Sequence, residues 1–319
     1  MLAYLKLFRW QNLLILILIQ GLFRYCVVKP LLLMFDYDLA LSDIDFGILV
    51  LATVITSAAG YAINDYFDIK TDRINKPHKI ILGKALSRRA AISSHIVLNI
   101  IAILLGFYLS YKVGNWSLSF IFIAIIIILW LYSIRYKRKY FIGNFMISIL
   151  AAFVIAIVWI FEYNALANFS EVPINVNVLV VDDFVKIFAL FAFLTTLLRE
   201  IIKDIEDIKG DAKTGCRTIP IVSGVRTCKN LLIFLAIVII AFTGYFQLVM
   251  LDFELFGSQY QFNLLFAYVL LTVQIPLILL INKVHIAKEK TDYQVLSRLA
   301  KFIMITGIFS MFLLYFYLT

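Results

Sequence analysis

Charge is scarce in this sequence. Of its 319 residues only 15% are Asp, Glu, Lys or Arg, while 63% are hydrophobic. That balance excludes a soluble domain, and the length excludes a single anchor. Cysteine is also rare: Cys26, Cys216 and Cys228 have no paired spacing, which argues against a disulfide framework or a zinc motif and leaves three structural thiols. The three histidines, His78, His95 and His285, are scattered without metal-ligand spacing. The glycines form no phosphate-cradling loop and no serine sits in a nucleophile elbow. With no linker or low-complexity segment to divide the chain, one membrane-embedded domain over 1–319 is the expectation.

What is abundant is long apolar sequence. A membrane helix needs roughly 20 mostly apolar residues, and runs of that order lie near 13–33, 44–63, 90–111, 116–134, 140–161, 184–202, 229–251, 262–282 and 299–318. Runs such as "LSFIFIAIIIILWLYSI" are continuous, whereas barrel strands alternate. The reading is therefore all-α and polytopic, with nine transmembrane helices. Arg24 lies deep in the first run, where it either pairs or snorkels. The 29 Lys and Arg against 20 Asp and Glu follow topology and do not point to nucleic acid. Basic residues fill alternate connections, and "FDYDLALSDID", "EYNALANFSEVP" and "LDFELFGSQ" between them hold almost none. By the positive-inside rule the N-terminus is cytoplasmic, and the expected location is the cell (inner) membrane.

Two cytoplasmic connections, about 64–89 and 203–228, hold nearly all the motif-like sequence. Each follows an even-numbered span, so both emerge on the same face of the bilayer. "DYFDIKTD" from Asp65 and "DIEDIKGD" from Asp204 share the frame D-x-x-D-I-K-x-D. At 3.6 residues per turn, positions 0, 3 and 7 fall within about 60° of one another. Asp65, Asp68 and Asp72 thus share one helix face, and Asp204, Asp207 and Asp211 share another. Carboxylates gathered in this way repel unless cations neutralise them, and a ligand set made only of oxygens calls for a hard ion. Mg2+ suits, because it keeps waters and completes its shell with substrate phosphates. Arg73, Lys76, Arg199 and Lys203 beside the acids suggest a diphosphate held by metal on one side and by basic groups on the other. A substrate with the rest of its body in lipid follows. For either cluster alone the plain alternative is a solvated, ion-paired helix end.

These residues resemble a known family. "NDYFDIKTDRINKP", from Asn64, is similar to the N-D-x-x-D-x-x-x-D signature of the UbiA superfamily of intramembrane prenyltransferases. "DIKGD", Asp207 to Asp211, resembles its second acidic motif. The likeness covers essentially the whole chain, and Arg199 to Ile221 looks most like the branch that includes geranylgeranylglyceryl phosphate geranylgeranyltransferases. It implies a UbiA-like helical bundle and Mg2+-dependent transfer of a prenyl group from an allylic diphosphate to a lipid-like or aromatic acceptor within the membrane. It further implies that Asp65, Asp68, Asp72, Asp204, Asp207 and Asp211 hold the metal and diphosphate, assisted by Asn64, Arg73 and Lys203. "YSIRYK" resembles a further family segment that contacts the diphosphate or allylic end, which brings in Tyr132 and Lys137. "RWQN" resembles the family's first span, which places Arg9 and Asn12 on the acceptor side.

One segment departs from that branch. After "INKP" the chain continues "HKIILGKALSRRAA" in place of an "RPLPSG"-like turn, leaving Lys79, Lys84, Arg88 and Arg89 near the entrance. They either favour a phosphorylated acceptor or obey topology. The expected reaction is prenyl transfer to a prenylated glyceryl phosphate, with an aromatic acceptor of quinone or haem synthesis as the alternative. Intramembrane carboxylates also mark ion pathways, so a cation transporter is the reading from another class. A CDP-alcohol phosphotransferase is excluded because Ile69 follows Asp68 where that pattern has glycine.

Overall fold

The computed structural model describes residues 2–78, 80–169, 178, 180–252 and 259–319, and these are helical apart from short connections. The helices are α1 (Leu2–Leu7), α2 (Trp10–Leu33), α3 (Asp43–Asn75), α4 (Arg88–Val113), α5 (Trp116–Ile134), α6 (Ile142–Phe169), α7 (Val180–Lys213), α8 (Ile219–Asp252), α9 (Leu264–Ile286) and α10 (Lys290–Leu318). Their boundaries follow local chemistry. The Ser42 and Ser87 hydroxyls accept from backbone N–H groups in the first turns of α3 and α4, satisfying donors that a helix start leaves open. Glu289 and Asp292 form a reciprocal capping box on α10. Gly114, at φ 77°, ends α4 in the left-handed region. Wide π-type turns at Phe23–Val28 and Leu270–Gln274 each lie just before a proline, Pro30 and Pro276. Proline has no N–H with which to continue the regular ladder.

Eight helices among the described residues, α2 to α6 and α8 to α10, are long and apolar enough to cross a membrane. The remaining expected span, 184–202, lies in α7, which does not meet the same composition. Its apolar stretch is bracketed by Asp182, Asp183 and Lys186 before it and by Arg199 and Glu200 after it. The packing explains the difference. Helix α7 touches α3, α6, α8 and α10, so it is largely surrounded by protein and shows little surface to lipid. Its first half, Val181 to Phe188, joins one apolar core with α2, α3, α4 and α6, and its second half, Phe191 to Ile205, joins another with α8, α9 and α10. The acidic second motif is thus carried on a helix with protein neighbours on several sides.

Arg24 pairs and does not snorkel. It is fully buried, stacks 4.4 Å from the centre of the Phe46 ring, donates to the Leu41 carbonyl and lies 3.7 Å from Glu162. Glu162 in turn accepts from the backbone N–H groups of Ala40 and Leu41, so the pair pins the connection before α3. The three cysteines are free and buried. Lys79, part of "EYNALANFSEVP" and part of "LDFELFGSQ" lie outside the described residues.

Candidate active site

Both acidic motifs are helix and not loop. Helices α3 and α7 run past their apolar stretches to Asn75 and Lys213, which carries the 3.6-residue spacing through each motif and presents its carboxylates together. What brings the two helix ends side by side is the Asn75 amide. It donates to the Asp207 carbonyl at 3.0 Å and accepts from Gly210 N at 2.9 Å. A side chain at Gly210 would put its Cβ 2.4 Å from Asn75 Oδ1, inside van der Waals contact, so it would displace the Asn75 amide. Thr71 and Thr214 share a second bond at 3.1 Å.

The helix ends open into a cavity of about 1730 Å3. Asn64, Asp65, Asp68, Asp72, Asp204, Asp207 and Asp211 line it, as do Arg9, Asn12, Tyr132, Lys137 and Lys203. Arg73 does not line it; its side chain is exposed. Farther in, the wall turns apolar through Leu16, Ile19, Leu129, Phe188 and Met311. A charged rim thus leads into a greasy interior.

Basic side chains from other elements stand on the acids. Arg9 bonds Asp65 at 2.8 Å, Lys76 bonds Asp207 at 2.6 Å, and Lys137 bonds Asp68. Lys137 also donates to Asn64 Oδ1 at 3.2 Å, and Asn64 donates to Asp68 at 2.8 Å. Burial by itself would lower the Lys137 pKa, but the Asp68 carboxylate outweighs it and holds the lysine above its usual range. The close turn that carries Lys137 depends on Gly143, where a Cβ would sit 2.9 Å from the Lys137 backbone. Arg9 reaches Asp65 from a left-handed break between α1 and α2, at φ 51°, a conformation non-glycine residues rarely adopt. Asp204 accepts from Asn144 at 2.9 Å. Burial, then the Asp207 charge, pushes Asp211 up to about 6. Lys203 is turned to Glu200, at 2.9 and 3.0 Å.

As a metal centre the set is suited in chemistry but not gathered. The donors are hard oxygens, and Asp207 Oδ1 is buried without a hydrogen bond. Among the described residues, however, no three Asp, Glu, His or Cys side chains converge closely enough to hold an ion. Lys76 and Lys137 occupy the carboxylate oxygens that an ion would need.

Sequence reasoning missed four participants. Asn75 lies inside the quoted "NDYFDIKTDRINKP" but reads as an ordinary helix end. Asn144 is a lone amide near the start of α6. Glu200 reads as a helix-end charge until it is seen lining the cavity. Lys301 left a signal, a cation just inside the last apolar run, and it lines the cavity from α10.

Comparison with known proteins bears on the family and the fold. A sequence profile of the UbiA prenyltransferase family matches residues 31–305. Digeranylgeranylglyceryl phosphate synthase of Methanobrevibacter smithii is 32% identical over 196 residues, 61% of this chain and 64% of that protein. The match therefore spans a little under two thirds of that relative's length. A solved structure of digeranylgeranylglyceryl phosphate synthase superposes with a TM-score of 0.64 over 98% of both chains, at 23% identity. A UbiA homolog from Archaeoglobus fulgidus, bound to DMAPP and Mg2+, superposes at 0.56 over 97% of this chain and 98% of its own, at 16% identity. These two likenesses establish the fold.

Proposed function

The chain belongs to the UbiA prenyltransferase family, and we propose that it transfers a prenyl group, geranylgeranyl by preference, from an allylic diphosphate to the hydroxyl of a prenylated glyceryl phosphate. The observation that carries this reading is the pair of acidic helix ends, clamped together by Asn75 at the polar rim of a cavity whose interior is apolar. Such a cavity suits a substrate with a multiply charged head and a hydrocarbon tail. The names of the curated relatives support the acceptor.

In this reading Asp65, Asp68, Asp72, Asp204, Asp207 and Asp211 would hold Mg2+ for the diphosphate, and Lys76 and Lys137, which stand on two of these carboxylates, would offer their charge to the phosphate oxygens. The ion's contribution when bound is to stabilise the charge that develops on the leaving diphosphate. Lys137, Asn64 and Tyr132 orient the diphosphate and its allylic end. Arg9 and Asn12 stand on the acceptor side. The bond between C1 of the prenyl chain and the diphosphate oxygen breaks, and the electron pair leaves with diphosphate. The acceptor oxygen bonds C1, and its proton passes to the departing diphosphate. The apolar walls keep water from capturing the allylic cation first.

The chain acts as one membrane-embedded unit over 1–319, with residues 184–202 of α7 as a ninth span. Its N-terminus and catalytic rim face the cytoplasm of the cell membrane. Family membership favours this over the transport reading. Purified protein offered radiolabelled geranylgeranyl diphosphate with a prenylglyceryl phosphate, 4-hydroxybenzoate or a naphthoate tests it. The expected product is a labelled ether lipid that forms with Mg2+ and is lost on chelation. Label on an aromatic ring would overturn the acceptor, and ion flux in proteoliposomes without any donor would overturn the enzyme.

A further inference from the structure

A second polar surface lines the same cavity and is not used by the acidic motifs. Thr196, Arg199 and Lys203 recur at i, i+3 and i+7 along α7, so they share a face, and Lys301 faces the cavity from α10. Lys301 Nζ donates to Asn12 Oδ1 at 3.3 Å, and the Arg199 and Lys301 charges are close enough to repel. Among the described residues, Glu200 is the carboxylate bonded to this group. It accepts from Arg199 at 3.2 Å and from Lys203 at 2.9 Å, leaving two positive charges in excess. Asp204, the next residue along, is held instead by Asn144.

Two donors here have no partner. The Thr196 hydroxyl, on a side chain only 6% exposed, and Arg199 Nε are both buried without a hydrogen bond. An unsatisfied buried polar group is costly, and neighbouring cations that repel add to that. The two excess charges, a hydroxyl and a guanidinium edge match a dianionic phosphate monoester.

We propose that Thr196, Arg199 and Lys301, with Lys203 behind them, form a phosphate-monoester seat separate from the acidic motifs, and that it holds the phosphate of the acceptor. This assignment rests on the glyceryl phosphate reading above. It gives the cavity two anion sites of different character. One takes a diphosphate through carboxylates and metal, and the other takes a monophosphate directly on cations. A carboxylate acceptor would supply one negative charge where two are matched.

The test is binding to the full-length protein in detergent with Mg2+ present, each probe offered singly so that no prenyl transfer occurs. The probes are geranylgeranylglyceryl phosphate, the alcohol lacking its phosphate, inorganic phosphate and geranylgeranyl diphosphate. Lys301→Gln is expected to weaken the glyceryl phosphate and inorganic phosphate by about tenfold or more. The alcohol and the diphosphate should stay within about twofold, and Lys301→Arg should recover most of the loss. Thr196→Val, nearly isosteric, provides a second variant should Lys301→Gln fail to fold, with a smaller loss of the same pattern. Equal binding of phosphate and alcohol to the unaltered protein overturns the seat. So does a variant that loses the diphosphate and keeps the monophosphate. A protein that prenylates glyceryl phosphate while both variants bind it unchanged keeps the function and loses the seat. One that binds phosphate at Lys301 yet prenylates only aromatic rings keeps the phosphate seat and loses its assignment to the acceptor.

Discussion

The two acidic motifs share the frame D-x-x-D-I-K-x-D, yet the fold treats them differently. On α3, Asp65 and Asp68 are held by Arg9 and Lys137, cations that arrive from separate connections, and Asn64 completes the cluster. On α7, Asp204 is held by a neutral amide, and Asp207 has one oxygen on Lys76 and the other unpartnered. The lysine of each frame, Lys70 or Lys209, points outward to the exposed side. The frames differ at three positions, and at the one that faces Asn75 α3 has Thr71 where α7 has Gly210. That difference is structural, because the Asn75 amide lies where a side chain of residue 210 would be. A repeat in sequence therefore supplies two similar faces, and unlike neighbours give them unlike roles. The α3 motif is the more neutralised, while the α7 motif keeps the less satisfied oxygens.

Six substitutions test this contrast. The largest effect is expected from Asp68→Ala and Asp207→Ala, each lowering prenyl transfer by about a thousandfold or more, the scale of losing a group that stabilises developing charge. Radiolabel incorporation measures this, and full activity in either variant with Mg2+ present would end the two-motif reading. Gly210→Ala comes next. The new methyl meets the Asn75 amide, so about 1 to 3 kcal/mol of stability should be lost, with transfer reduced in step. Asn75→Ala in the same chain should restore part of the stability, which a thermal melt in detergent would read. The corresponding Thr71→Ala loses only the bond to Thr214, and about 1 kcal/mol is expected. Smallest is Arg73→Ala, which should leave transfer within about twofold because its exposed side chain does not line the cavity. A tenfold fall would bring Arg73 into the site.

Much of the architecture was legible. All nine apolar runs are helices in the fold, since twenty residues without charge have few other ways to satisfy their backbone in lipid. Among the described residues eight helices are long and apolar enough to cross a membrane; α7 carries more charge, which a helix packed against protein can hold more readily than a lipid-facing one. The acidic faces were legible from spacing alone. Asn75, Asn144 and Lys301 were not, because their meaning lies in which helix each one meets.

The sequence by itself determined that the chain is helical and apolar, and that two carboxylate faces occur at matching helix ends. Those properties follow from composition and from the 3.6-residue period, both local. Only the tertiary structure decided that the Asn75 amide joins the two ends, that Arg9, Lys76 and Lys137 cover the acids, and that Lys301 comes to face Arg199 across the cavity. These are contacts between residues up to 289 positions apart, as Lys301 and Asn12 are. No local period encodes such a meeting, because it is set by how the described helices pack around their shared apolar cores.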